Sequence, residues 1–128
     1  MGKVTLSPWD FITLARRLGN NQDEVSLRSA VSLAYYGAFH FAGEQLERLS
    51  ADSADPFRWT GVRKSHSGLR NQWAERLGTT GDLVASNLFH AHELRTKADY
   101  DLHLVFTPED KEAFGFVAQV LLAVRRGS

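Results

Sequence analysis

Apolar positions recur along this chain at three- and four-residue steps, the period of helices that bury one face. Ser7-Pro8-Trp9-Asp10 places a capping serine before a proline at the first helical position, and Phe11, Leu14, Ala15 and Leu18 follow at helical spacing. Gly19-Asn20-Asn21 ends that helix. Asp23 caps a second, longer helix in which Val25, Ala30, Val31, Ala34, Ala38, Phe41, Ala42 and Leu46 form an apolar face broad enough for the centre of a bundle. Ser50 to Pro56 is small and polar and reads as a loop. The stretch from Trp59 to Leu77 is less regular and predicts one helix with Val62, Leu69, Trp73 and Leu77 inward. Gly78-Thr79-Thr80-Gly81 is a break. Asp82 then opens a helix through Leu83, Leu88, Ala91 and Leu94 towards Tyr100, and Asp101 to Phe106 is irregular. Thr107-Pro108-Glu109-Asp110 starts the last helix, with Ala113, Phe116, Val117, Val120, Leu121 and Val124 inward and Arg125 and Arg126 at its C-terminal dipole. No segment alternates with period two, and no repeat is visible. The pattern predicts an all-α bundle of four to five helices.

Composition narrows the chemistry. A length of 128 residues suits one domain spanning 1–128. The absence of cysteine removes disulfides, thiolate–metal sites and cysteine nucleophiles. Lys+Arg and Asp+Glu are each 15, and a formal charge of zero argues against a polybasic nucleic-acid binder while leaving room for a local basic patch. No stretch approaches the length of a membrane span, and no leader segment is visible, so a cytoplasmic protein without membrane association is expected.

Five histidines invite a test for metal binding, but His90 and His92 point to different faces of a helix, and His92-Glu93 is followed four positions after the histidine by Thr96. No metal site and no cofactor are expected. The densest polar cluster runs from Glu93 to His103, and on a continuous helix Arg95, Asp99 and His103 share one face. Arg95 can hold phosphate charge and His103 can move protons near neutral pH, which together suffice for RNA cleavage without a metal. The same residues also read as an Arg95–Asp99 surface ion pair with Tyr100 packed and His103 in a loop. A second polar stripe on the long helix, Arg28, Ser32, Tyr35, Tyr36 and His40, faces a ligand or the Arg95 segment, or else its two tyrosines sit in the bundle core with their hydroxyls reaching outward. Arg63, Lys64, His66 and Arg70 form a local basic surface able to meet phosphates, with His66 as a substitute base for His103. Asp99 is expected to be tied to backbone or to an arginine, and Tyr100 to be largely buried.

Two segments, taken together, carry a resemblance. The first is Leu27-Arg28-Ser29-Ala30-Val31-Ser32-Leu33-Ala34-Tyr35-Tyr36-Gly37-Ala38-Phe39-His40, and the second is Arg95-Thr96-Lys97-Ala98-Asp99-Tyr100-Asp101 ahead of the last helix. With Lys64-Ser65-His66-Ser67-Gly68-Leu69 between them, they resemble the HEPN family (higher eukaryote and prokaryote nucleotide-binding) over roughly Ser7 to Val124. The resemblance implies a HEPN-like bundle that pairs as a homodimer, with the late motif of both subunits lining one cleft. It further implies an endoribonuclease in a prokaryotic toxin–antitoxin or defence system, or in RNA processing, with a nucleotidyltransferase antitoxin as partner. The alternative it allows is a non-catalytic module that binds a nucleotide or that nucleotidyltransferase. For cleavage Arg95 and His103 are the catalytic candidates, and on either function Arg28, Tyr35, Tyr36, Lys64, His66, Asp99 and Tyr100 are the binding candidates. Seven residues separate Arg95 from His103, more than the family's usual four to six.

Overall fold

The computed structural model describes residues 6–21, 23–59, 65–106 and 112–127. They form four helices in sequence: α1 (Pro8–Gly19), α2 (Glu24–Leu49), α3 (His66–Tyr100) and α4 (Glu112–Gly127). The described residues contain no strand. Among the described residues, no helix is long and apolar enough to cross a membrane.

The helix starts follow from local chemistry. Ser7 Oγ accepts from Trp9 N at 3.2 Å, and Ser7 N donates to Asp10 Oδ2 at 2.8 Å, closing a capping box around Pro8. Asp23 Oδ2 accepts from Ser26 N at 3.0 Å and starts α2. Ser65 Oγ accepts from Gly68 N at 3.0 Å and starts α3, so this helix begins seven positions after Trp59 rather than at it. Trp59 is core all the same. It lies in an extended stretch, its ring covers Gly43 so closely that a Cβ there would stand 2.3 Å away, and its N–H donates to Glu47 Oε1. Val62 and the Thr107–Asp110 start signal lie outside the described residues.

The break expected at Gly78–Gly81 is a reversal inside α3. Leu77 (φ −123°, ψ 19°) and Gly78 (φ 54°, ψ −130°) leave helical geometry, Gly78 in a region that only glycine occupies easily. A straight helix would separate His66 from His92 by about 39 Å. Their rings are 4.5 Å apart. The two arms of α3 therefore run back against one another as a helical hairpin. Gly81 sits at the closest approach, where a Cβ would stand 1.8 Å from the Trp73 carbonyl oxygen.

α2 is central, packed against α1, α3 and α4. The main core joins Ala34, Tyr35, Phe39, Trp59, Trp73, Leu88 and Val120, and Trp73 Nε1 finds a buried acceptor in the Ala42 carbonyl at 3.1 Å. A smaller core of Leu27, Val31, Ala98, Phe106 and Ala113 seals the end where α3 stops. Two apolar positions expected inward face solvent. Val25 lies in the first turn of α2, and Leu83 lies on the outer side of the second arm of α3. Tyr100 is 67% exposed, against the expectation of burial. Ala98 and Phe106 fill the core at that point, and the Tyr100 ring instead lies across the Arg95 guanidinium, 5.6 Å from its centre.

Candidate functional site

Arg28 and Arg95, the two buried arginines of the described residues, have opposite fates. Arg28 directs all five of its N–H donors at protein acceptors. Nε meets Glu24 Oε2 at 3.0 Å, Nη1 meets the carbonyls of Lys97 and Ala98 at 3.0 and 2.9 Å, and Nη2 meets those of Asp101 and Leu104 at 3.3 and 2.5 Å. Glu24 in turn accepts from Phe106 N at 3.2 Å, and the Phe106 ring lies under the guanidinium at 5.1 Å. Arg28 is thus the cap that α3 lacks in its own sequence: it satisfies two of the last carbonyls of the helix and the turn beyond. Its donors are spent on the fold.

Arg95 sits at the centre of a ring of aromatic and titratable groups. Its Nη2 donates to the Tyr36 hydroxyl, and its guanidinium lies 4.9 Å from the centre of the Tyr36 ring. Asp99 Oδ2 stands 3.2 Å from Arg95 Nε, an ion pair whose angle leaves the Nε–H without a proper hydrogen bond. Ser32 Oγ donates to the same Asp99 oxygen at 3.2 Å. Burial alone would lower the Arg95 pKa, but the Tyr36 hydrogen bond and the fields of Tyr36, Asp99 and Tyr100 outweigh it and push it up, so Arg95 stays charged. Asp99 is tied to an arginine, as its spacing from Arg95 suggested.

Two imidazoles complete the cluster. His66 Nδ1 is 2.5 Å from the Tyr35 hydroxyl, and the His66 ring packs on Phe39 at 4.5 Å and on His92 at the same separation. Burial, then the neighbouring His92, Arg95, Arg70 and His40, press the His66 pKa down to about 4. His92 is lowered by burial first and by Arg95 and Arg70 next, with Glu93 opposing. Arg70 lies 5.3 Å over the Phe89 ring, and its buried Nη1 has no hydrogen-bond partner among the described residues. The cluster therefore sets two guanidinium groups beside two neutral imidazoles, with unspent donors and two nearby carboxylates, Asp99 and Glu93. Such a site favours an anion, and a phosphoryl group suits it: planar forks for its oxygens and titratable nitrogens for its protons.

His103 is placed elsewhere. It is exposed in the turn after α3 and makes no hydrogen bond, ion pair or ring contact with Arg95 or any other described residue. The i, i+8 alignment requires α3 to continue, and it ends at Tyr100. Lys64 and Arg63 lie outside the described residues. Tyr35, Tyr36, His66, Asp99 and Tyr100 all gather around Arg95 or its neighbours. His92 is the member that the sequence pattern does not select, although it lies three positions before Arg95 on one helix face. Among the described residues no group of three or more His, Cys, Asp or Glu is placed to hold a metal ion.

Comparison of the chain with models of known protein families, with curated proteins and with solved structures returns no match.

The depressed imidazoles make a pH prediction. The folded pKa of His66, about 4, is below its ordinary 6.5, so the unfolded chain binds more protons between these values. Stability is fully present above about pH 6.5 and is lost as pH falls towards 4. The loss expected from His66 is on the order of 1–2 kcal/mol, less than the full shift because the ring is partly solvated. Thermal melts across this window should decline, and His66→Gln should flatten the decline. An equal slope in the variant would remove His66 as the cause.

Proposed function

We propose that the chain is a HEPN-type endoribonuclease that cleaves RNA without a metal ion, using the Arg95–His66–His92 cluster. The observation that supports it most is the convergence of Arg95, Arg70 and two neutral imidazoles on one side of the α2–α3 packing, built by the segments that carry the family resemblance. In the reaction an imidazole takes the proton of a 2′-hydroxyl. The 2′-oxygen then bonds to phosphorus, and the bond from phosphorus to the 5′-oxygen breaks. The 5′-oxygen leaves with a proton returned from that imidazolium or from water, and a 2′,3′-cyclic phosphate remains. The guanidinium groups of Arg95 and Arg70 hold the charge that builds on the phosphoryl oxygens.

The protein acts in the cytoplasm as a toxin or RNA-processing factor, paired with a nucleotidyltransferase antitoxin. It works as a homodimer, its second copy covering the groove beside the end of α3 that exposed Val25 and Leu102 line.

The test is cleavage of single-stranded RNA in EDTA. Arg95→Ala and His92→Ala should each lose at least about a hundredfold in rate, the lower range for removing a charge stabiliser or a general base. Loss in His103→Ala instead of His92→Ala would move the proton acceptor to the turn after α3. Sedimentation of the same samples reports whether the cleaving species is a dimer. Wild-type protein that binds RNA or nucleotide without cleaving would overturn the enzyme and leave the binding module.

A further inference from the structure

Tyr35 stands in α2 with 1% of its surface exposed, and its hydroxyl is 2.5 Å from His66 Nδ1. Among the described residues no other group accepts from that hydroxyl. A buried O–H left without an acceptor is destabilising, because it gives up its hydrogen bond to water for nothing. Burial pushes the Tyr35 pKa up, against the opposing fields of Arg70 and Arg95, so the phenol keeps its proton. The hydroxyl therefore donates and Nδ1 accepts. A neutral imidazole that accepts at Nδ1 carries its single proton on Nε2.

We propose that Tyr35 is a positioning residue that locks His66 in the Nε2–H tautomer, so that His66 offers a hydrogen bond to a phosphoryl oxygen while His92 takes the proton of the attacking hydroxyl. This division of labour rests on the endoribonuclease function proposed above. The lone pair of neutral His66 is already engaged by Tyr35, so this ring has none left for a base. The titratable and charged groups around it are Tyr35, Tyr36 and His40 from α2 and Arg70, His92 and Arg95 from α3, none of them an anion that would favour imidazolium. His92 packs its ring on Tyr35 and His66 but has no hydrogen bond to either ring nitrogen among the described residues. Among the described residues its lone pair is free for a proton. Two chemically identical side chains thus take different roles because the Tyr35 hydroxyl donates to one of them, although both rings pack on that phenol.

The first readout needs no activity. Long-range 1H–15N spectra of the labelled full-length chain near neutral pH should show His66 with an unprotonated Nδ1 and a protonated Nε2. Tyr35→Phe should convert that pattern into a tautomer mixture. A protonated Nδ1 in the wild type, or unchanged His66 signals in Tyr35→Phe, would overturn the lock. Titration with inorganic phosphate should shift the His66 Nε2 signal, and a silent Nε2 beside responding Arg95 signals would overturn the donor role.

The second readout is cleavage. His66→Gln keeps an N–H donor and should lose no more than about tenfold, with the acidic limb of the pH–rate profile retained. His92→Gln should lose about a hundredfold or more. Tyr35→Phe should fall between them, at about tenfold or more, as for removal of a group that orients a histidine. If His66→Gln abolishes activity and the acidic limb while His92→Gln does not, the roles are reversed and the proposal fails. If the wild type cleaves no RNA, the endoribonuclease function fails, and the tautomer and phosphate spectra decide the lock and the donor role by themselves.

Discussion

Arg28→Ala is expected to lower the unfolding free energy by about 3–5 kcal/mol, the cost of breaking a buried charged group away from its partners. The side chain is 10% exposed and spans α2, the end of α3 and the following turn. Removing it strips the carbonyls of Lys97, Ala98, Asp101 and Leu104 of a donor at once. It also leaves Glu24 with Phe106 N alone and removes one of the two cations over the Phe106 ring, Lys97 being the other. The smaller core of Leu27, Val31, Ala98, Phe106 and Ala113 should open with it. Arg28→Lys should recover only part of the loss, because an ammonium has three donors and no planar fork. Urea denaturation of the three proteins measures this. A change below about 1 kcal/mol in the alanine variant would show that water replaces the guanidinium at those carbonyls.

Gly81→Ala should destabilise by at least about 3 kcal/mol, at the upper end of overpacking effects. The added Cβ would stand 1.8 Å from the Trp73 carbonyl oxygen and 3.2 Å from Ala74 Cα. Both are backbone atoms, so no side chain can swing away, and the two arms of α3 must separate. The same reversal brings His66 and Arg70 to His92 and Arg95, so any residual folded protein should also lose the cluster. Loss of the His66–His92 contact would show in the histidine spectra before global unfolding. Gly115→Ala is the matched control. It lies exposed within α4 with nothing within 4 Å of a new Cβ, and it should raise stability by up to about 1 kcal/mol through helix propensity. Equal effects at the two positions would refute the close approach of the arms.

Much of the backbone was legible because its signals are local. Ser7-Pro8-Trp9-Asp10 and Asp23 start helices through groups two or three residues away, and a capping bond needs no tertiary partner. The glycines at 78 and 81 marked the break in α3, since positive φ and a missing Cβ are properties of the residue itself. The Arg95–Asp99 pair was readable for the same reason: helical residues four apart are neighbours wherever the helix packs. Of the two readings of His103, the one that put it in a loop holds. His103 shares a face with Arg95 only if α3 extends past Tyr100, and the carbonyls at that end are instead drawn to Arg28.

What only the tertiary structure decided is which distant groups meet. The sequence leaves Arg28 facing either a ligand or the Arg95 segment, and the structure sets it on the latter, on backbone carbonyls about 70 positions away that have no signature in a sequence. The Tyr35–His66 contact needs the rotation of α2 about its axis, and the His66–His92 contact needs the reversal at Gly78. The sequence by itself determined the helical class, the starts of α1 and α2 and the break in α3, because each follows from a residue's own backbone preference and its near neighbours. The convergence of two arginines and two imidazoles was decided by packing, because it depends on how the buried faces of separate helices fit together.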